Sequence, residues 1–198
     1  MNEIMGISRL RMGTDGRGIT TLVTFYGCPI SCAYCLNPQC NDKDTVRAEY
    51  SPKELMKTVE IDDIYFQMTG GGITFGGGEP LLYNEFIHQF CRIANPAWKI
   101  RMETSLNVPW EKVKFLLSDV DLWFVDIKDL NENIYRKYTG TGNKQVIENL
   151  MKLDAMIPQE RICVRVPLIP GYNTEKDIGN SLSILKKFKN IDRLTYTQ

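Results

Sequence analysis

Residues 19–38 read ITTLVTFYGCPISCAYCLNP, and the two halves of this stretch carry different signals. The first half, ITTLVTFY, is dense in β-branched and aromatic residues and lies between Gly18 and Gly27, which predicts a buried strand. The second half packs Cys28, Cys32 and Cys35 into one loop at the spacing C-x3-C-x2-C, three of the six cysteines in the chain. A strand that runs into such a loop sets soft ligands at one end of a sheet, because thiolates favour zinc, copper(I) and iron-sulfur centres. A structural zinc site is usually closed by a second paired unit, and no second C-x2-C occurs. The spacing alone leaves three readings: an iron-sulfur cluster with one open iron, a zinc site, and a structural or redox group of thiols.

Outward from this stretch, strand and helix signals alternate. Ser51-Pro52-Lys53-Glu54 combines an N-cap hydroxyl, a proline at the first helical position and a glutamate at the third, predicting a helix to about Glu60. A short strand at 73–75 sits between glycines, and Phe86, Phe90 and Ile93 mark a helix that stops at Asn95-Pro96. Further strands are predicted at 98–103, 121–127, 161–166 and 191–196, with helices carrying Val113, Val146 and Ile178 between them. Six strand-helix units predict an α/β fold with parallel strands, a partial (β/α)6 TIM-like barrel in one domain over residues 1–198.

In such folds ligands bind where the strands end. Cys28 to Cys35, Gly76 to Pro80, Glu103-Thr104, Asp126 to Lys128 and Pro170-Gly171 all follow predicted strands, so one rim is expected to carry the chemistry. Gly76-Gly77-Gly78-Glu79-Pro80 offers backbone at close approach and then one carboxylate. A flexible turn and a phosphate cradle are the competing readings, but the Lys-Ser/Thr of a P-loop is missing and a glutamate suits an ammonium better than a phosphate.

Lys plus Arg and Asp plus Glu both number 24, so nothing chain-wide attracts nucleic acid or an anionic membrane. The 198 residues, 43% of them hydrophobic, suffice for one core. The start, MNEIMGISRL, has no leader pattern and no segment reaches the length of a membrane span, so a cytoplasmic protein is expected. His88, the only histidine, falls on a predicted helix and reads as a surface or interface residue. Cys91 and Cys163 read as small buried hydrophobes, and Cys40 as the one candidate for an exposed thiol.

Taken together, DGRGI at 15–19, GCPISCAYCLNP at 27–38, GGGITFGGGEPL at 70–81, ETS at 103–105, DIK at 126–128, YTGTGN at 138–143 and VRVPLIPGYN at 164–173 resemble the blocks of the radical S-adenosylmethionine superfamily, in the same order. Within it, they look like the activating enzymes of glycyl radical enzymes such as pyruvate formate-lyase. The resemblance implies that Cys28, Cys32 and Cys35 hold a [4Fe-4S] cluster whose open iron binds the amino and carboxylate groups of S-adenosyl-L-methionine. It puts Gly77, Gly78 and Glu79 at the methionyl amino end and adds Thr104, Asp126, Lys128 and Arg165 as cofactor contacts. Asp126 and Lys128 take the catalytic role beside the substrate channel. A monovalent cation is a further candidate at Glu103, Thr104 and Asp126, although Glu103 is longer than the usual aspartate.

The activity so implied is anaerobic. An electron from flavodoxin or ferredoxin cleaves S-adenosylmethionine, and the 5′-deoxyadenosyl radical takes hydrogen from a backbone glycine of a partner glycyl radical enzyme. Leu36 replaces the histidine common after the third cysteine, and the chain ends before the family's usual last segment, as a short form. Two other functions stay open: a radical enzyme acting on another peptide or a nucleotide, and a non-catalytic cluster-binding module.

Overall fold

A computed structural model describes residues 2–189 and 193–197, without side-chain detail at 159 and 193–197. Eight strands are present among the described residues: β1 (Glu3–Met12), β2 (Ile19–Phe25), β3 (Ala48–Glu49), β4 (Gly72–Gly77), β5 (Lys99–Thr104), β6 (Leu122–Asp126), β7 (Ile162–Pro167) and β8 (Arg193–Thr197). They form one sheet in the order β3-β1-β2-β4-β5-β6-β7-β8. From β2 through β8 the neighbours are parallel and follow chain order, as the alternating signals predict. The last strand was expected from Ile191, a residue outside the described ones. The sheet is curled and its outermost strands do not pair, which makes it a half-barrel.

Two strands depart from the all-parallel expectation. β1 pairs antiparallel with β2, and β3 pairs antiparallel with β1, extending one edge. The pairing of β1 shifts register between Ile4 and Gly6 and again between Ser8 and Arg11, with Leu10 at φ 54°. Each irregularity resets the two-residue alternation by which a strand is read from sequence.

Seven α-helices are present among the described residues: α1 (Pro52–Val59), α2 (Asp63–Thr69), α3 (Asn84–Ile93), α4 (Trp110–Phe115), α5 (Glu132–Thr139), α6 (Lys144–Met156) and α7 (Glu175–Leu185). The expected capping box closes α1: Ser51 N–H donates to Glu54 Oε2 at 2.8 Å and Glu54 N–H donates to Ser51 Oγ at 3.2 Å. Thr174 and Asp177 cap α7 in the same way. Helices α2 and α5 carry no earlier expectation; each is about two turns long, too short to repeat an apolar stripe. No helix among the described residues is long and apolar enough to cross a membrane.

Alternation along the parallel strands sorts their side chains onto two faces. Val23, Phe25, Ile73, Phe75, Ile100, Met102, Trp123, Val125, Ile162 and Val164 join the hydrophobic core under the helices. There Phe75 meets Phe25 at 5.9 Å and Phe90 of α3 at 5.5 Å between ring centroids. The intervening positions face the inside of the half-barrel and are mostly polar: Thr74 pairs with Arg101, Glu103 with Phe124, and Asp126 with Arg165. At the start of this interior sits DGRGI, in the β1-β2 hairpin. Asp15 accepts from Arg11 Nε and Nη2, both at 2.8 Å, and from Thr20 Oγ1 at 2.9 Å.

The glycines before β4 are fixed by strand packing. A Cβ on Gly71 would lie 1.7 Å from the carbonyl oxygen of Ile19. Gly71→Ala is expected to destabilise the protein by about 3 kcal/mol. Gly179→Ala, in the exposed part of α7 with nothing near the added atom, is expected to stabilise by about 0.5 to 1 kcal/mol. Urea unfolding of the two variants checks both signs.

Candidate functional site

The loop from Gly27 to Cys40 leaves the end of β2 and is held from outside. Gly27 N–H donates to Cys40 O at 2.7 Å, Cys28 N–H to Asn41 Oδ1 at 2.9 Å, Ser31 N–H to Thr139 O at 2.9 Å and Ala33 N–H to Tyr138 O at 3.0 Å. Cys28, Cys32 and Cys35 are partly exposed. Burial pushes the Cys28 thiol up to about 12 and raises Cys32 as well, so a metal centre must displace protons to be held there. Cys40, expected at the surface, is 2% exposed. The short 3-10 turn Pro38–Asn41 folds its thiol inward against Cys35. His88 lies on α3 with Nδ1 2.8 Å from Asp119 Oδ2, away from this loop.

The end of β4 reaches the same place. Gly78 N–H donates to Phe25 O at 2.9 Å and Glu79 N–H to Gly27 O at 2.8 Å. A Cβ on Gly78 would sit 2.2 Å from Gly27 O, so these glycines are required by the neighbouring backbone. The Glu79 carboxylate is 1% exposed. It accepts from Thr104 Oγ1 at 2.7 Å, Ser105 Oγ at 2.7 Å, Ser105 N–H at 3.0 Å and Leu81 N–H at 3.3 Å. Burial raises its pKa despite these donors, which only partly offset it. Ser105 is a contact not assigned from sequence; its position directly after Thr104 was the available signal.

Across the interior from Glu79 is a charge-balanced quartet. Arg165 Nε donates to Asp126 Oδ1 at 2.6 Å and its Nη1 to Glu103 Oε1 at 2.9 Å, while Lys128 Nζ donates to Asp126 Oδ2 at 3.2 Å. Burial disfavours the Asp126 charge, but Lys128 and Arg165 outweigh it and hold the carboxyl below its ordinary range. Burial likewise opposes the charge on Lys128, and Asp126 with Cys32 more than restores it. The positions marked for a monovalent cation are engaged otherwise: Arg165 bridges Glu103 and Asp126, and the Thr104 hydroxyl is turned to Glu79.

Among the described residues, no three His, Cys, Asp or Glu side chains close on a single metal ion. A four-iron cluster asks for three thiolates that each reach a different iron, and the donor set of this loop fits that demand in kind. Beside it, Tyr34, 58% exposed, packs edge-on against Tyr138 and Tyr172 at 6.2 and 5.6 Å. These rings come from three separate segments, so no local pattern announced them.

Comparison with known proteins bears on this arrangement. A model of the radical SAM superfamily matches residues 22–181. The (2S)-3-sulfopropanediol dehydratase activating enzyme of Klebsiella oxytoca is 39% identical over 128 residues, which are 63% of this chain and 39% of that protein. The isethionate sulfite-lyase activating enzyme of Oleidesulfovibrio alaskensis is 28% identical, over 83% of this chain and 73% of its own length. The chain thus spans well under two thirds of the Klebsiella protein. Among solved structures, a domain of a pyruvate-formate lyase-activating enzyme from Bacteroides vulgatus superposes with a TM-score of 0.52 at 29% identity, over 63% of this chain and 75% of that one.

The raised pKa of Glu79 gives a test with a definite sign. Its contribution to stability is full below the ordinary glutamate value of 4.5 and is lost as pH rises through the higher folded value. Ser105→Ala removes a donor to the ionised form and lifts that value further. The variant is expected to lose about 1 to 3 kcal/mol at pH above the raised folded value, with the loss shrinking as pH falls through that value toward 4.5. Denaturant unfolding across that pH range reads the difference.

Proposed function

The chain belongs to the radical SAM superfamily, and from that premise we propose that it is an activating enzyme for a glycyl radical enzyme. One observation carries the reading: Glu79 N–H donates to Gly27 O at 2.8 Å, directly before Cys28, and the Lys128–Asp126 pair stands at the end of β6 on the same rim. A ligand with one ammonium and one carboxylate, laid from the cysteine loop across the interior, meets an anion at one end and cations at the other. Both curated relatives described above are activating enzymes, which supports the same choice.

In this proposal Cys28, Cys32 and Cys35 hold a [4Fe-4S] cluster. Gly77, Gly78, Glu79 and Thr104 receive the methionyl amino end of S-adenosylmethionine, and Lys128 and Arg165 receive its carboxylate. When bound, the cluster and S-adenosylmethionine would supply one-electron reductive chemistry for taking hydrogen from a backbone glycine of the partner. The chain's own residues orient and charge-match this cofactor. Four donors already fill the lone-pair directions of Glu79, so an incoming ammonium takes over one of them, and the Leu81 N–H at 3.3 Å is the longest. Asp126 holds both Lys128 and Arg165 in place and thereby orients the carboxylate end beside the substrate channel. A monovalent cation is left out of the proposal, since Arg165 supplies the positive charge between Glu103 and Asp126. A reduced flavodoxin or ferredoxin is the electron donor proposed.

Anaerobic reconstitution with iron and sulfide, followed by dithionite and S-adenosylmethionine, is expected to yield 5′-deoxyadenosine, and Cys32→Ala to reduce it to background. Absence of that product sinks the enzyme reading. A doublet radical signal on mixing with a glycyl radical enzyme separates an activase from a radical enzyme with another substrate. Arg165→Lys keeps the charge but cannot bridge Glu103 and Asp126, and is expected to weaken S-adenosylmethionine binding about tenfold. Equilibrium binding to the reconstituted protein measures it.

A further inference from the structure

At the end of the half-barrel opposite the cysteine loop, a cleft of about 400 Å3 opens between the β1-β2 hairpin and the starts of β5, β6 and β7. Its charged lining is cationic in excess: Arg17, Lys99, Arg101 and Arg161 against Asp121 and Glu160. Asp121 is already committed, accepting from Ile100 N–H at 2.8 Å and from Lys99 Nζ at 3.3 Å. Glu160 is exposed. Leu122, Phe124 and Ile162 give the cleft an apolar wall.

Two guanidinium groups on this cleft are incompletely bonded. Arg101 is 3% exposed, and its Nη2 donates to the carbonyl oxygens of Arg17 and Gly70. Its Nη1 is buried with no partner among the described residues. Arg161 Nη2 donates to the carbonyl oxygens of Leu117 and Val120, and its Nε is likewise buried and unpartnered. Buried donors almost always have acceptors, and charged donors most of all. Burial lowers the Arg101 pKa, and the charges of Asp15 and Asp121 offset it only in part.

We propose that this cleft binds a small molecule through a phosphate or carboxylate group, held by the cationic lining of Arg17, Lys99, Arg101 and Arg161. The volume exceeds that of a bare ion, so the apolar wall receives an organic body, the usual division of labour in a small-molecule site. The site is built partly from Gly16 and Arg17 of the DGRGI block, which the activase reading leaves without a role. It lies at the opposite strand ends from Cys28, Cys32 and Cys35, and so stands or falls independently of the cluster.

Isothermal titration calorimetry of the full chain, with inorganic phosphate and separately with citrate at an ionic strength fixed by chloride, tests this. Saturable binding of at least one anion is expected. Arg101→Lys keeps the charge but loses the planar guanidinium, and is expected to weaken binding about tenfold. Since a buried change can disturb folding, Lys99→Glu at the exposed mouth serves as a second variant, expected to weaken it about threefold by charge reversal. A preference for phosphate assigns the site to phosphate esters, and a preference for citrate assigns it to carboxylates. No saturable heat for either anion, or an affinity unchanged in Lys99→Glu or in folded Arg101→Lys protein, overturns the proposal.

Discussion

The buried carboxylate of Glu79 is the contact on which the rim depends. Its oxygens take the hydroxyl of Thr104 and both the hydroxyl and the amide of Ser105, while its own amide is given to Gly27. One residue thereby binds the end of β4 to the ends of β5 and β2. A carboxylate can be buried only when donors meet it, and the converse holds with equal force: without an acceptor there, three donors of Thr104 and Ser105 would be stranded. The close approach of the Gly77-Gly78 backbone to Thr24 and Gly27 follows from the same requirement. The cysteine loop departs from this knot, so the position of its thiols is inherited from it.

The half-barrel separates two kinds of interior. Between sheet and helices the core is apolar and aromatic, and it accounts for the regular strand-helix spacing. Inside the curl, Glu103, Asp126, Lys128 and Arg165 form a neutral set of four charges whose hydrogen bonds cross β5, β6 and β7. Such a set excludes no ligand by net charge, yet offers separate anionic and cationic poles. That is suited to a zwitterionic molecule, and it is costly to leave half-satisfied.

Much of this was readable in the residues. The six parallel strands, the capping box of α1, and the gathering of 28–35, 76–80 and 126–128 at one rim all follow from local patterns that the tertiary structure respects. What was not readable depends on long-range pairing. β1 is broken by two register shifts, so its alternation never persists long enough to be counted. Cys40 looked like an exposed thiol in a polar run, but Gly27 captures its carbonyl and turns the side chain inward. The glycine run at 76–78 suggested backbone within reach of a ligand, and what the run could not tell is that Gly77 and Gly78 are also demanded by backbone atoms of adjacent segments. Arg165 as the bridge between Glu103 and Asp126 required knowing which strands are neighbours, which a single sequence does not state.

The two amide contacts that tie the cysteine loop to the end of α5 have a dynamic consequence. Between Pro29 and Leu36 the loop has no helix or strand of its own, so Ser31 and Ala33 owe their protection from solvent exchange to Thr139 and Tyr138. When α5 frays from its glycine-capped end, those amides open with it; when α5 is intact, they are closed. Loop and helix therefore form a single cooperative opening unit. The middle of the thiol loop is thus tied to α5, a helix that bears no cysteine.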